Sequence, residues 1–269
     1  MSPDKKAILV VSYGTTYDDT RERTIGAIER RISESFPGWE VRRAFSSRPV
    51  IKILARRGVH VDFVDQALER LAEEGFGTVV VQPTLVMNGI EYDIMTDSVR
   101  RLGDRFDRIS VGSPLLTTSD DYERMIGAIE SAYVPEAEAL CSGRHALVLM
   151  GHGTTHFANS TYSELQLRLG LSGHEDVYVT TVEGFPSFAD TLRMMEGRGY
   201  GEAVLVPIML VAGDHAVNDL AGDEEDSLKC VMRDAGYEPR CIVRGMGEFP
   251  AFQELFCVHT AAAMRSLGE

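Results

Sequence analysis

The sequence predicts an α/β protein composed of two similar domains, each built around a parallel β-sheet. Short, β-branched apolar runs alternate along the chain with amphipathic helical patterns, and the second half repeats motifs of the first half. The 269 residues, of which 44% are hydrophobic and 25% charged, have the composition of an ordinary globular protein. This length is sufficient for one large domain or two medium-sized domains with a well-buried core.

The first half predicts four strands connected by helices. The predicted strands cover residues 7–12, 41–45, 78–82 and 108–111, and the predicted helices cover about 20–36, 49–57, 62–74 and 92–105. Strands that are apolar throughout and separated by helices are typical of parallel sheets covered on both faces. Ligands of such folds bind beyond the carboxyl ends of the strands.

Short alignments indicate that the second half duplicates the first. The run LVLMGHGTTHF matches LVVSYGTTYDD when the two are aligned at their Gly-Thr-Thr turns. This alignment places His152 where Tyr13 stands. The segment TVEGFP lies against AFSSRP, which sets Glu183 opposite Ser46. These matches occur in the same order in both halves and predict an internal repeat.

A third match concerns the strand that ends in a proline. Aligning Pro207 with Pro83 places His215 on Glu91. We therefore predict two domains related by a pseudo-twofold duplication. The active site is expected in the cleft between them.

The boundary between the two domains is predicted near residues 134–144, around Pro135 and Gly143, because this stretch interrupts the alternating pattern. The predicted domains are residues 1–140 and 141–269.

Charge and composition exclude several classes of function. Lys and Arg number 27 against 41 Asp and Glu, a net charge of −14, whereas nucleic-acid binders need a basic surface. No apolar run approaches the roughly 18–20 residues of a membrane span. The two lysines before the first strand precede only about six apolar residues, too few for a secretory signal, so we expect a cytoplasmic protein. The four scattered cysteines are expected to be reduced.

Three residues of the second half form a candidate metal site. His152, Glu183 and His215 all follow predicted strands, so that their side chains are expected at one edge of the sheet. Two imidazoles and a carboxylate suit a divalent first-row metal such as Co²⁺, Fe²⁺, Ni²⁺ or Zn²⁺. Three protein ligands leave coordination positions open, as in sites where the metal reacts.

Each candidate ligand also has a structural interpretation. A single histidine at a strand end is often only a hydrogen-bonded polar residue, and Glu183 before Gly-Phe-Pro is also suited to capping the next helix. The glycines on both sides of His152 favour a ligand, because they allow a close approach of the backbone. His156 lies four residues from His152, and we assign it a lining or supporting role.

Two charged runs stand out. The acidic run 223–226 is expected in the first turn of a helix that ends near Ala235, where carboxylates meet the positive end of the helix dipole. The stretch 42–57 contains six basic residues and no acidic one, which favours a ligand with several carboxylates, contacted above all by Arg48 and Lys52. A solvated helix face is the alternative.

Two common kinds of catalytic site are missing from the sequence. It has no phosphate-binding P-loop and no GxSxG turn of serine hydrolases. Gly-His-Gly-Thr-Thr also lacks the GxGxxG spacing of dinucleotide-binding proteins.

The motifs resemble those of the anaerobic cobalt chelatases, the sirohydrochlorin cobaltochelatases of the ATP-independent class II chelatases. The resemblance extends over essentially the whole chain and is carried by VVSYGTT, FSSRPVIKIL, NGIEYDIM, MGHGTTH, VEGFPSF and MLVAGDHAVNDLAGDEEDSLK. It implies two Rossmann-like, chelatase-like domains with a tetrapyrrole cleft. It also implies insertion of Co²⁺ into sirohydrochlorin or its precursor precorrin-2 on the anaerobic route to cobalamin.

The resemblance also implies roles for single residues. His152 and His215 match the family's catalytic, metal-binding histidines, Glu183 matches the carboxylate that completes the metal site, and Glu91 matches an acidic residue of the same cavity. Tyr13 stands where some relatives have Phe and is placed to touch the macrocycle. Substrate-contacting roles are further expected for Ser46, Arg48, Lys52 and His156.

The expected chemistry needs no cofactor beyond the substrate metal. Two pyrrole protons must leave, and a histidine or Glu91 is expected to accept them. The same site would also suit Fe²⁺ or Ni²⁺, so a ferrochelatase for siroheme or haem is one alternative and a non-catalytic metal or tetrapyrrole carrier is another. A tetrapyrrole and a divalent metal are the expected partners, with neither nucleic acid nor membrane, and a homo-oligomer is compatible with the sequence.

Overall fold

The computed structural model describes residues 5–268, which divide into two compact units. The first unit contains the residues up to Thr117 together with those from Phe252 onward, and the second unit is Thr118–Ala251. Each unit holds one four-stranded, fully parallel sheet, so the predicted α/β class is confirmed.

The first unit has the strand order β2-β1-β3-β4. Its strands are β1 (Lys5–Ser12), β2 (Glu40–Phe45), β3 (Phe76–Pro83) and β4 (Arg108–Val111). Its α-helices are α1 (Asp18–Arg21), α2 (Ala27–Ser35), α3 (Arg48–Arg56), α4 (Val64–Glu73) and α5 (Ile90–Leu102), with a π-helical turn at Glu22–Gly26 and a 3₁₀ turn at Gly103–Arg105. The central strands are buried on both faces, as their uninterrupted apolar sequences predict.

The second unit has the equivalent order β6-β5-β7-β8. Its helices begin with α6 (Ser119–Leu140), and its strands are β5 (His145–Gly151), β6 (Val177–Thr181), β7 (Glu202–Pro207) and β8 (Glu238–Cys241). The remaining helices are α7 (Ser160–Leu171), α8 (Phe188–Met195), α9 (Leu228–Asp234) and finally α10 (Pro250–Ser266), which runs into the first unit. Shorter turns lie at Phe157–Asn159 (3₁₀), Ala216–Leu220 (π) and Met246–Glu248 (3₁₀).

The backbone confirms the predicted duplication. Pro83 pairs with Val11 of β1, and Pro207 pairs with Met150 of β5. The next residue in each case donates its N–H to the same partner, Thr84 to Val11 and Ile208 to Met150, both at 2.8 Å. Equivalent strand order and equivalent hydrogen bonds show that the two units share one internal plan.

The structure corrects the alignment of Ser46 with Glu183. The N–H of Glu183 donates to the carbonyl of His152 (2.9 Å), and the matching bond of the first unit runs from Ser47 to Tyr13 (3.2 Å). Glu183 therefore corresponds to Ser47. The connection after β6 is longer than that after β2, so the short motif alignment slipped by one residue, whereas the strand register is set by backbone hydrogen bonds.

The division of the chain also differs from the predicted boundary. The stretch 134–144 lies largely within α6, which continues through Pro135 and packs against α7 and β7 of the second unit. From Phe252 onward α10 belongs to the first unit, where the Ala263 carbonyl accepts a hydrogen bond from Ser110. A helix that keeps its apolar side buried across a proline cannot be recognised from composition alone.

The acidic run 223–226 lies before α9 rather than in its first turn. Ser227 is the N-cap of this helix, and its hydroxyl accepts the N–H of Cys230 (3.2 Å). Serine is a favoured N-cap, and it fixes the helix start at Leu228, after the acidic run. Among residues 5–268 no helix is both long and apolar enough to span a membrane.

Candidate metal centre

Three predicted ligands converge at one edge of the second sheet. Each of His152, Glu183 and His215 offers one ligand atom, and these atoms all lie within 4.8 Å of one another. His152 follows β5, Glu183 follows β6 and His215 follows β7, which are neighbouring strands. Because parallel strands end at the same edge, three residues far apart in the chain come together.

Backbone contacts join the loops that carry His152 and Glu183. In addition to the bond from Glu183 to the carbonyl of His152, the N–H of Val182 donates to the carbonyl of Gly151 at 3.1 Å. These two bonds continue the β5–β6 pairing beyond the strands. His152 and Glu183 are therefore held by an extension of the sheet itself.

Asn159, which the sequence analysis did not single out, ties the same two loops a second time. Its side-chain oxygen accepts the N–H of Thr154 (3.1 Å), and its side-chain nitrogen donates to the carbonyl of Phe185 (2.8 Å). An amide is the side-chain group that both donates and accepts at such a bridge. An asparagine just after a Gly-Thr-Thr-His loop was the available signal.

The two imidazoles meet edge to face. Their ring centroids lie 4.4 Å apart with an angle of 81° between the ring planes. The Nδ1 atom of His152 lies 2.8 Å from the carbonyl oxygen of Gly153, and that of His215 lies 2.7 Å from a carboxylate oxygen of Asp219. When each Nδ1 donates its proton there, the Nε2 lone pairs are available to a metal.

The cluster is open to solvent on one side. The side chains of His152, Glu183 and His215 are 48%, 58% and 35% exposed. Two atoms bound to one metal at about 2.1 Å lie at most about 4.2 Å apart, so pairs near the 4.8 Å limit close by a few tenths of an ångström on binding. Rotation of half-exposed side chains supplies this movement.

The first unit carries the other strand-end candidates. Tyr13 follows β1 and is half exposed, Ser46 follows β2 and is buried, and Glu91 lies in the first turn of α5. Within residues 5–268 only three buried side-chain polar atoms lack a hydrogen-bond partner: Ser46 Oγ, Glu91 Oε2 and Thr180 Oγ1. An unpaired buried polar atom costs about 1–3 kcal/mol, and two of the three belong to predicted site residues.

Two residues of the predicted basic cluster, Arg42 and Arg43, are paired with acids. Arg43 makes two hydrogen bonds to Glu29 (2.7 and 2.5 Å), and Arg42 contacts Glu40 and Glu74 (2.5 and 2.6 Å). Glu29 lies in α2, Glu74 follows the last residue of α4, and Glu40 begins β2, so all three acids lie outside the stretch 42–57.

Arg48 and Lys52 remain exposed on α3, one helical turn apart. The guanidinium of Arg48 lies 3.8 Å from the ring centroid of Phe63, so it is held by stacking and leaves its N–H groups accessible. These two cations stay available for an anionic ligand.

His156 lies outside the three-ligand cluster. Its Nδ1 accepts the N–H of Ala158 (3.2 Å) at the start of the 3₁₀ turn, and its ring packs against Phe157 with centroids 4.1 Å apart. Its local role is to cap this turn, and a contact with substrate stays a prediction.

The chain matches the family model described as cobalt chelatase (CbiK) over residues 6–265. It belongs to the cobalt chelatase family. This finding confirms the resemblance given by the sequence motifs, and it shows an enzyme of the chelatase type.

Two relatives align with this cobalt chelatase over almost its whole length. It is 36% identical over 261 residues to the sirohydrochlorin cobaltochelatase of Salmonella typhimurium, covering 97% of each chain. It is 32% identical over 271 residues to the sirohydrochlorin cobaltochelatase CbiKC of Nitratidesulfovibrio vulgaris, covering 98% of this chain and 93% of the relative.

A solved structure supports the fold. SirB from Bacillus subtilis with Fe³⁺ superposes with a TM-score of 0.67 at 15% identity and covers 98% of both chains. At this identity the similarity concerns the fold alone, and it agrees with the two parallel-sheet units of the chelatase.

Proposed function

We propose that this protein inserts Co²⁺ into sirohydrochlorin, without ATP, in cobalamin biosynthesis. The observation that carries the proposal is the convergence of His152, Glu183 and His215 within 4.8 Å on an open edge of the sheet. Membership of the cobalt chelatase family and the names of two full-length relatives support the choice of substrates.

The three converging residues are proposed to hold Co²⁺ before insertion. Two neutral imidazoles and one carboxylate supply three bonds, and the remaining coordination positions face solvent because the side chains are half exposed. A metal held by an incomplete ligand set exchanges its remaining ligands readily. The same arrangement that captures Co²⁺ therefore also releases it to a better set of donors.

The reaction exchanges two protons for one metal ion. Two pyrrole N–H bonds break, four bonds form between Co²⁺ and the ring nitrogens, and the metal leaves its protein ligands and water; no atom is oxidised or reduced. A histidine whose Nε2 lone pair binds Co²⁺ cannot accept a proton at the same time. We therefore propose Glu91, or a histidine that has already released the metal, as the proton acceptor.

Glu91 is suited to this role by an unpaired carboxylate oxygen. It lies in the first turn of α5, and its buried Oε2 atom has no hydrogen-bond partner within the described residues. An acceptor without a partner is available to a pyrrole N–H of a bound ring. That Glu91 faces the same cavity as the metal ligands stays a prediction.

The remaining candidates are proposed to bind the macrocycle. Tyr13 presents a half-exposed ring, Ser46 an unpaired hydroxyl, and Arg48 and Lys52 two exposed positive charges. Sirohydrochlorin carries peripheral carboxylates, which guanidinium and ammonium groups bind well. We propose no cofactor beyond the substrate metal.

Anaerobic incubation of the protein with sirohydrochlorin and Co²⁺ tests the proposal. The protein is first treated with a chelator to remove bound metal, and no ATP is added to the assay. We expect the tetrapyrrole absorption spectrum to change faster than in spontaneous metallation, with many turnovers per protein molecule. His215→Ala should retain the fold and lose most of the activity. His174→Ala is the matched control, because His174 lies before β6, away from the strand end that carries Glu183.

Parallel assays with Fe²⁺ and Ni²⁺ identify the metal. A higher rate with Fe²⁺ than with Co²⁺ would contradict the cobalt assignment and favour a ferrochelatase. Tight binding of metal or tetrapyrrole without any acceleration of insertion would contradict the enzymatic function and favour a carrier.

A further inference from the structure

The π-helical turn after β7 separates a buried side from an exposed side. Ala216 and Leu220 are completely buried and anchor the turn in the core of the second unit. His215 and Asp219, four residues apart, lie on the accessible side, with side chains 35% and 40% exposed. The turn is therefore held in place by its buried apolar residues. The exposed side chains of His215 and Asp219 are not needed to anchor it.

A single short hydrogen bond joins these two polar residues. The Nδ1 atom of His215 lies 2.7 Å from a carboxylate oxygen of Asp219. A carboxylate only accepts hydrogen bonds when it is ionised, so this contact favours the imidazole tautomer that carries its proton on Nδ1 and keeps the lone pair on Nε2. Within the described residues the carboxylate of Asp219 makes no other hydrogen bond or ion pair.

We infer that Asp219 is a positioning residue for metal delivery: it holds His215 in the one tautomer and ring orientation that present Nε2 to Co²⁺. The inference rests on the proposed function, in which His215 is a metal ligand. A carboxylate behind a ligating histidine fixes the ring and increases the electron density on its donor atom. Asp219 therefore acts on the metal through His215, and it need not touch metal or tetrapyrrole.

The other imidazole of the cluster is oriented differently. The Nδ1 atom of His152 lies 2.8 Å from the backbone carbonyl of Gly153, a neutral acceptor that no side-chain substitution removes. A carboxylate oxygen of Glu183 lies 3.9 Å from the same Nδ1 atom, which is longer than a hydrogen bond. Of the two Nδ1 atoms, therefore, that of His215 is hydrogen-bonded to a side chain, which makes the inference accessible to mutagenesis.

Titration of the full-length chain with Co²⁺, followed by the visible absorption of the bound ion, tests the inference. Asp219→Ala should raise the Kd for Co²⁺ by about 10–100-fold, the usual effect of removing such a partner. Asp219→Asn should show a smaller increase, because its amide oxygen still accepts the Nδ1 proton but carries no charge. Glu225→Gln removes an exposed charge from the same loop and should leave the Kd unchanged.

Two further measurements distinguish positioning from a general structural effect. In metal-insertion assays, Asp219→Ala should raise the KM for Co²⁺ and leave the KM for the tetrapyrrole unchanged, whereas a distorted loop would raise both. ¹⁵N NMR of the metal-free protein should show the Nδ1–H tautomer of His215 in the wild type and a mixture of tautomers in Asp219→Ala. Circular dichroism should show that both variants are folded.

His215→Ala separates the failure of this inference from the failure of the proposed function. If His215→Ala binds Co²⁺ like the wild type, His215 is not a ligand and the proposed metal site is wrong. If His215→Ala loses binding while Asp219→Ala keeps the wild-type Kd, the metal site stands and the role of Asp219 is overturned.

Discussion

Gly153 packs directly against Gly184, and the contact leaves no room for a side chain. A Cβ atom placed on Gly153 would lie 2.6 Å from the backbone nitrogen of Gly184. Gly153 also has a φ angle of +80°, a conformation that other residues adopt at a cost. The loops that carry His152 and Glu183 approach closely because Gly153 has no side chain at the contact; a Cβ atom on Gly184 would instead lie 2.3 Å from the side-chain oxygen of Asn159.

Gly153→Ala should therefore separate the two ligand-bearing loops. We expect a loss of about 1–2 kcal/mol in unfolding free energy from the backbone strain and about 1–3 kcal/mol more from the clash. The affinity for Co²⁺ should fall as well. Urea unfolding and Co²⁺ titration measure the two effects.

Gly173→Ala is the matched control for this substitution. Gly173 has a similar φ angle of +88°, but nothing lies within 4 Å of its Cβ position. It should show the strain alone, with wild-type Co²⁺ affinity. Equal effects of the two substitutions on Co²⁺ affinity would contradict a specific role for the Gly153 contact.

The Asn159 bridge should contribute to both the stability of the protein and its affinity for Co²⁺. Asn159→Ala removes both bonds that join the loops and should cost about 1–3 kcal/mol of stability, together with a weaker affinity for Co²⁺. Gln166→Ala is the control, because its amide also makes two bonds, to Val177 and Val179 within β6. We expect a similar loss of stability and normal Co²⁺ affinity in that control; weaker binding in both variants would argue against the bridge as the cause.

Arg48 and Lys52 should affect the tetrapyrrole and not the metal. Replacing either with alanine should raise the KM for sirohydrochlorin about two- to fivefold, because an exposed ion pair contributes at most about 1 kcal/mol. The KM for Co²⁺ should not change. Arg42→Ala, which removes a guanidinium already paired with Glu40 and Glu74, should leave both values unchanged in steady-state kinetics. An unchanged KM in the Arg48 and Lys52 variants would show that α3 is only a solvated surface.

Glu202 should stabilise the protein at neutral pH and lose this effect at acidic pH. Hydrogen bonds from the N–H groups of Gly143 and Ser142 lower the pKa of this carboxyl below its ordinary value of 4.5, despite its burial. A lowered folded pKa gives stability that is present above about pH 4.5 and is lost as the pH falls through the folded value. Glu202→Gln should therefore be less stable than the wild type at neutral pH.

The two proteins should become alike in stability as the pH falls below 4.5. Urea unfolding at a series of pH values measures this convergence, and Glu225→Gln, an exposed glutamate, should follow the wild type throughout. A constant difference between wild type and Glu202→Gln at all pH values would show that the charge of Glu202 is not involved.

The sequence by itself determined the α/β class, the duplication and the convergence of His152, Glu183 and His215. The reason is that the strands of a doubly covered parallel sheet are apolar throughout, and side chains that follow adjacent strands must meet at one edge. The motifs around His152 and His215 also placed the chain in its family. These features depend on local patterns, and local patterns are visible in one sequence.

Only the tertiary structure decided which residues support the site and which charges remain free. The hydrogen bond between Asp219 and His215 depends on a π-helical turn, and the two hydrogen bonds of Asn159 depend on two loops in contact. Likewise, the cations of Arg42 and Arg43 are neutralised by glutamates from other elements. Such pairings depend on distances between residues far apart in the chain, which composition and periodicity do not contain.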